Sequence, residues 1–308
     1  MTPKPLRSRR FASRYGGALL TTAFGVAGAL GIAAYTTLKL NAPSRKVNPY
    51  TFTPWELGVE HEPVVFGHDR GIVLRGWWFP NPNSRRVVIG CTGHRGAKHE
   101  LLGIGSGLWR AGNNVLLFDF RGRGESDQGP FSLAFYEMAD LEAAVDYVLK
   151  RIPQAHVGVI GYSMGAAVAL SVAARDPRID AVVADSSFAT MRGVIEYAYT
   201  RYRMPLRPML RLTDMVNRLR YGYTFDAVQP VNVVGAIAPR PMLLIHGAAD
   251  SLIPVGHSEA LYAAAAEPKE SWVVPDADHC GAYFVDRSEY VGRVARFFER
   301  TLDGDGAQ

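Results

Sequence analysis

The stretch Gly161-Tyr162-Ser163-Met164-Gly165 decides the fold predicted for this chain. It follows an apolar run at residues 157–160 and precedes an alanine-rich run at residues 166–170, so the pattern predicts a strand, a sharp turn and a helix. Glycines on both sides of a serine let the backbone turn tightly and hold the hydroxyl clear of the sheet. Ser163 is therefore the candidate nucleophile.

Two candidate partners for this serine follow along the chain. A serine hydroxyl is a weak nucleophile near neutral pH, so it needs a general base and a carboxylate that orients the base. Asp250 follows the apolar run at residues 241–245, and His279 follows the run at residues 272–275. The order serine, acid, histidine is that of α/β hydrolases, not that of trypsin-like or subtilisin-like enzymes. Asp185, at the end of another apolar run, is the rival acid.

The chain resembles the α/β-hydrolase superfamily over about residues 58–300. Beyond the triad, the turn at residues 119–126, with the sequence Asp-Phe-Arg-Gly-Arg-Gly-Glu-Ser, is similar to the one these proteins carry after the fourth strand. The resemblance implies an α/β fold with a mostly parallel central sheet flanked by helices. We expect one hydrolase domain at residues 58–303 with a small helical lid at about 187–238. The chain looks most similar to the small-lid, peptidase-like serine hydrolases, many of which sit behind a membrane anchor.

The same resemblance implies an oxyanion hole built from two backbone N–H groups. One belongs to Met164, directly after the candidate nucleophile. By register the other belongs to His94, in the loop after the third predicted strand. Family members usually carry His-Gly in this loop, where the present chain has Thr92 and Gly93.

These residues predict a serine hydrolase that cleaves a carboxylic ester or related acyl bond through an acyl-enzyme. The substrate is expected to be a small acyl compound, lipid-like compounds included. A thioesterase, a lipase or a serine peptidase would use the same triad, and fold alone does not separate them. The alternative outside the enzymes is an inactive hydrolase fold that serves as a binding protein at the membrane. No metal or organic cofactor is implied.

The net charge of +5 gives no support for a nucleic-acid partner. The chain has 34 Lys and Arg residues against 29 Asp and Glu residues. Its first 40 residues hold six of the basic residues and none of the acidic ones, so the remainder is close to neutral. The basic excess therefore belongs to the N-terminal segment.

The N-terminal segment predicts a membrane span. Residues 1–15 are basic, and residues 16–38 carry no charge over a length that would cross a hydrocarbon core of ~30 Å as a helix. The pattern predicts a single-pass transmembrane signal anchor, with a cytoplasmic N-terminus, a linker at residues 41–57 and an extracytoplasmic catalytic domain. A cleaved signal peptide ending near residues 31–33 and secretion are the alternative, and a twin-arginine signal at residues 9–10 is a weaker one.

The predicted lid is rich in arginine and tyrosine, with seven arginines and five tyrosines in residues 190–223. A solvated helical face with tyrosines packed inward explains this composition. A lid that contacts anionic headgroups or admits an amphiphilic acyl substrate is the functional alternative. In either case we expect this segment to influence substrate choice.

The two cysteines, Cys91 and Cys280, each lie beside a predicted catalytic loop. An oxidising compartment would permit a disulfide between them. We expect two free thiols instead, because strand and loop positions rarely meet the geometry that a disulfide requires.

Overall fold

The central sheet has eight strands. The computed structural model describes residue 25 and residues 27–42, 52–67, 71–201, 203 and 206–303. The strands are β1 (Glu62–Gly67), β2 (Val73–Phe79), β3 (Arg86–Cys91), β4 (Asn114–Phe118), β5 (His156–Tyr162), β6 (Ile179–Asp185), β7 (Met242–Gly247) and β8 (Lys269–Val274). Their order across the sheet is β1-β2-β4-β3-β5-β6-β7-β8. Strand β2 runs antiparallel to both neighbours, and the pairs from β4 to β8 are parallel.

Helices cover both faces of this sheet. They are α1 (residues 27–41), α2 (Leu102–Arg110), α3 (Glu137–Arg151), α4 (Met164–Ala173), α5 (Met191–Arg201), α6 (Leu206–Tyr221), α7 (Pro230–Val233), α8 (Gly256–Ala264), α9 (Ala282–Val285) and α10 (Arg287–Leu302). Short 3₁₀ helices lie at Pro54–Leu57, Lys98–Leu101, Phe225–Ala227 and Val234–Ile237. Helices α3 and α4 contribute to one hydrophobic core, and α2 and α10 contribute to the core on the opposite face.

The coverage of both faces explains the apolar runs in the sequence. Successive side chains of a strand point to opposite faces of the sheet. When helices cover both faces, all of these side chains are buried, so the sequence of the strand is a continuous apolar run. Every residue of β4 is buried, and so are all residues of β7. The prediction of an α/β-hydrolase fold with a mostly parallel sheet is confirmed.

The segment between β6 and β7 contains α5, α6 and α7, where the lid was predicted. Tyr199 and Tyr223 are buried, in agreement with tyrosines that pack inward. Arg192 pairs with Asp226 at 2.6 Å, whereas Arg207 is exposed. These two tyrosines therefore pack into the core, and most arginines of the described part of this segment are exposed.

The predicted transmembrane anchor at residues 16–38 is wrong. No helix in the described part of the chain is both long and apolar enough to cross a membrane. Residues 16–24 and residue 26 lie outside the described residues, as do residues 43–51 of the predicted linker. The predicted single-pass membrane location and the predicted membrane partner, which depend on this anchor, are corrected as well.

The physical reason for this correction is the buried face of α1. Ala33 and Thr37 are fully buried, and Asn41 is almost so. The Asn41 amide donates to Asn217 of α6 at 2.9 Å and accepts from the Tyr223 hydroxyl at 2.7 Å. The helix thus places a partly polar face against the lid.

Candidate active site

Ser163 stands on a strained turn between β5 and α4. Its backbone has φ 53° and ψ −115°, a region that residues with a side chain rarely adopt. The Ser163 N–H donates to the carbonyl of Asp185 at 2.8 Å, which fixes the turn to the adjacent strand. The strain therefore falls on the serine itself.

The flanking glycines are required for space. A Cβ on Gly161 would lie 2.3 Å from the carbonyl oxygen of Gly165. A Cβ on Gly165 would lie 2.4 Å from the carbonyl oxygen of Cys91. These distances are far below van der Waals contact, so both positions accept only glycine without movement of the backbone.

The three predicted catalytic residues lie in one hydrogen-bonded chain. Nε2 of His279 is 2.9 Å from Oγ of Ser163, and Nδ1 of His279 is 2.8 Å from Oδ2 of Asp250. Asp250 follows β7 and His279 follows β8, so the carboxyl ends of parallel strands bring them together beside the turn after β5. In this arrangement His279 can accept a proton from Ser163 while Asp250 holds the ring.

The Asp250 carboxylate is buried but well supplied with donors. Its Oδ1 accepts from the N–H groups of Leu252 at 2.9 Å and Ile253 at 2.7 Å. Burial raises the pKa of Asp250, but hydrogen bonds from His246, His279 and Ile253 outweigh it and hold the pKa below its usual range. The carboxylate therefore remains ionised near neutral pH.

Asp185, the rival acid, belongs to a different network. It is fully buried, and its carboxylate accepts from the Tyr290 hydroxyl at 2.7 Å and the Ser186 hydroxyl at 2.8 Å. The Ser186 hydroxyl in turn accepts from the N–H of Cys280 at 3.1 Å. Burial raises the pKa of Asp185. Asp185 therefore connects the loops that carry Ser163 and His279, whereas the carboxylate of Asp250 accepts the hydrogen bond from the His279 ring.

The predicted oxyanion donors are the backbone N–H groups of Met164 and His94. Met164 is the first residue of α4, where a helix provides no intrahelical acceptor for its N–H. Within the described part of the chain, neither Met164 nor His94 donates its backbone N–H to a protein acceptor. The loop before His94 lies against the nucleophile, since a Cβ on Gly93 would be 3.7 Å from Cβ of Ser163.

An apolar cleft of about 910 Å³ opens onto Ser163 and His279. This volume is within the range of small-molecule sites, ~300–1,000 Å³. Its apolar lining includes Leu101, Leu102, Ile104, Tyr162, Leu252, Tyr283 and Phe284. Phe284 is 71% exposed and Leu252 is 53% exposed, so apolar surface extends to solvent. The cleft can accommodate an apolar group next to the serine hydroxyl.

Comparison with known proteins identifies the family of this chain. A sequence model of the alpha/beta hydrolase fold matches residues 86–200. YqkD of Bacillus subtilis is 33% identical over 245 residues, which cover 78% of this chain and 79% of that protein. The chain belongs to the α/β-hydrolase family. YfhR of Escherichia coli K12 is 32% identical over 241 residues, covering 75% of this α/β hydrolase and 76% of YfhR.

A solved structure is similar to this α/β hydrolase over most of its length. The Pyrococcus furiosus esterase Pf2001 has a TM-score of 0.70 and 28% sequence identity, and the match covers 85% of this chain and 98% of that one. The fold, the family and this structural neighbour together identify the protein as a hydrolase. The small-lid, peptidase-like subgroup stays a prediction.

Sequence reasoning missed one residue of this α/β hydrolase's candidate site. His246 precedes a glycine at the end of β7, a sequence context typical of a structural residue, yet its Nε2 lies 3.3 Å from Oδ2 of Asp250 and 2.8 Å from the carbonyl of Ile253. His246 is fully buried, and its Nδ1 has no partner among the described residues. Its position four residues before Asp250, at the end of β7, is the signal that could have indicated this contact.

The cysteines are both free, as expected. Burial raises the pKa of each thiol, so neither is a ready thiolate nucleophile. Within the described ranges, no group of three or more His, Cys, Asp or Glu side chains is arranged to hold a metal ion.

Proposed function

We propose that this hydrolase is a serine esterase that cleaves carboxylic esters through an acyl-enzyme. The observation that carries the proposal is the hydrogen-bonded chain from Ser163 through His279 to Asp250, with distances of 2.9 and 2.8 Å. The distances suit proton transfer without rearrangement. The apolar cleft beside Ser163 supports an acyl group as the part of the substrate that is bound.

In the first half of the proposed reaction, Oγ of Ser163 attacks the ester carbonyl carbon while Nε2 of His279 takes the hydroxyl proton. The oxyanion that forms accepts hydrogen bonds from the N–H groups of Met164 and His94. The tetrahedral intermediate then collapses, and the C–O bond to the alcohol breaks. His279 returns its proton to the leaving alcohol, which leaves the acyl group on Ser163.

In the second half, a water molecule attacks the acyl carbon and His279 takes one of its protons. Collapse of the second intermediate releases the carboxylic acid and returns the proton to Ser163. Asp250 stays ionised throughout and stabilises the imidazolium form of His279, because its lowered pKa keeps it from taking the proton.

A fluorophosphonate probe tests the proposal directly, because it reacts only with an activated serine. We expect labelling of the wild-type protein at Ser163, with loss of p-nitrophenyl ester hydrolysis in proportion to labelling. Ser163→Ala is the matched control and should remain unlabelled. An unlabelled wild-type protein would refute the mechanism and favour an inactive binding protein. Labelling without ester turnover would redirect the search to thioesters and peptides.

A further inference from the structure

The C-terminal end of α1 contacts the loop that carries the proposed oxyanion donor. Nε2 of His94 donates to the carbonyl of Leu40 at 2.7 Å. The guanidinium of the next residue, Arg95, donates to the carbonyl of Lys39 at 2.6 Å. Two consecutive residues of the loop thus bind two consecutive carbonyls of the helix.

These contacts use groups that a helix leaves without partners. The last four carbonyls of an α-helix have no intrahelical donor, and this end of the helix dipole attracts cations. The side chains of His94 and Arg95 satisfy two of these carbonyls, and Arg95 brings a positive charge to the negative end. The interaction therefore stabilises both the helix end and the loop.

His94 is held from two other directions. Nε of Arg123 donates to the carbonyl of His94 at 2.6 Å, and the His94 ring packs against Phe131 with ring centres 5.1 Å apart. The backbone N–H of His94 has no protein acceptor among the described residues, and His94 lines the cleft. The side chain of His94 is held by α1 and its carbonyl by Arg123, so these contacts restrict the movement of the residue that carries this N–H.

The other side of α1 is fixed to the lid. Asn41 uses both amide hydrogens, donating to the carbonyl of Thr37 at 2.7 Å and to Asn217 of α6 at 2.9 Å. Its amide oxygen accepts from the hydroxyl of Tyr223 at 2.7 Å. Because this amide is buried, loss of its partners would leave polar groups unsatisfied.

We infer that α1 is a positioning element of the active site, which holds the His94 N–H in place for the oxyanion and ties it to lid helix α6. The inference rests on the proposed function, because the oxyanion hole has a role only if Ser163 forms a tetrahedral intermediate. None of the hydrogen bonds of the described residues of α1 involves Ser163, so the helix acts through the loop that carries His94.

The test compares Asn41→Ala with Tyr35→Ala in the full-length chain. Tyr35 is on the same helix but 60% exposed, so it is a control for substitution on α1. Fluorophosphonate titration first measures the concentration of reactive Ser163, which removes any effect of unfolded protein. We expect Asn41→Ala to lower kcat per active site about tenfold with little change in KM, a smaller loss than removal of an oxyanion donor. Tyr35→Ala should match the wild type.

A trifluoromethyl ketone inhibitor provides the readout that a purely structural role would not move. It forms a hemiketal oxyanion on Ser163, so its affinity reports the oxyanion hole. We expect its Ki to rise in Asn41→Ala by the same factor as kcat/KM falls, and to be unchanged in Tyr35→Ala. An unchanged kcat per active site, or an unchanged Ki, would overturn the inference.

Two further variants keep the test decisive if Asn41→Ala does not fold. Tyr223→Phe removes only the hydroxyl that binds Asn41 and should give a smaller loss in the same direction. His94→Phe keeps a ring against Phe131 but loses the donor to Leu40, whereas the amide of His94→Gln can still donate. We expect His94→Phe to lose more turnover than His94→Gln, and equal losses would contradict the inference. Failure of the wild type to react with the probe would instead reject the proposed function.

Discussion

Nε2 of His246 lies 3.3 Å from Oδ2 of Asp250, the oxygen that also accepts a hydrogen bond from His279. One carboxylate oxygen therefore faces two imidazoles, while the other accepts two backbone N–H groups. All four neighbours present donors to the carboxylate. This environment requires an acceptor with a full negative charge, and an amide cannot replace it.

Asp250→Asn should therefore lower kcat by about 10²–10⁴ with a much smaller change in KM. Its amide group cannot accept from all of these donors, so the His279 ring loses the partner that fixes its tautomer. Steady-state kinetics on p-nitrophenyl butyrate, normalised to folded protein, measure the effect. Turnover close to that of the wild type would exclude Asp250 as the acid.

Asp185→Asn is expected to change stability more than chemistry. The asparagine amide cannot accept from both Tyr290 and Ser186 as the carboxylate does, and the mismatch is fully buried. We expect a loss of about 1–3 kcal/mol in the free energy of unfolding, measured in urea. Turnover per folded molecule should stay within a few-fold of the wild type. A severe loss of turnover without loss of stability would assign the acid to Asp185.

Ser163→Ala should reduce ester hydrolysis by at least ~10³, because the acyl-enzyme cannot form without the hydroxyl. The unfolding midpoint should change little, since a hydroxyl at the cleft surface contributes little to packing. Initial rates at saturating ester and a thermal melt measure the two effects. Turnover retained in this variant would contradict the proposed mechanism.

Gly165→Ala should disrupt the turn, because its Cβ would lie 2.4 Å from the carbonyl of Cys91. Overpacking against backbone cannot be relieved by a side-chain rotation, so we expect a loss of about 1–3 kcal/mol or more in stability together with weak probe labelling. Gly256→Ala is the matched control, because the nearest atom to its Cβ is 4.0 Å away. If both variants behave alike, the spatial argument for the elbow glycine fails.

Acid should destabilise the fold partly through His94. Burial, with the positive charge of Arg123, lowers the pKa of His94 to about 3, and the hydrogen bond to Leu40 opposes this shift only in part. The folded protein thus keeps His94 neutral at a pH where the unfolded chain, with an ordinary histidine pKa of ~6.5, takes up a proton. The stability that this provides is complete above pH ~6.5 and is lost progressively as the pH falls toward 3.

Urea unfolding of the wild type and of His94→Gln at several pH values between 7 and 4 measures this effect. The wild type should lose up to about 1.4 kcal/mol per pH unit more than the variant below pH 6, which corresponds to one extra proton taken up on unfolding. Parallel stability profiles would show that His94 is not held neutral in the folded state.

The sequence alone predicted those residues of the candidate site that directly follow strands. Ser163, Asp250 and His279 each come directly after an apolar run, and parallel strands bring such positions to one edge of the sheet. His246 was missed because a residue at the end of a buried strand has the same sequence context whether it faces the core or a carboxylate. Its distance from Asp250 depends on how the chain after β7 turns back.

The sequence by itself determined the sheet, the turn at Ser163 and the order of its two partners, because each depends on local patterns of apolar residues and glycine. Only the tertiary structure decided what the N-terminal apolar segment packs against. An apolar stretch shows that the side chains of a helix are more stable out of water, but it does not specify which surface covers them. For α1 that surface is set by Asn217 and Tyr223, which lie 176 and 182 residues away from Asn41 in the chain. Contacts over such separations follow from how the lid and the sheet pack, and no local pattern encodes them.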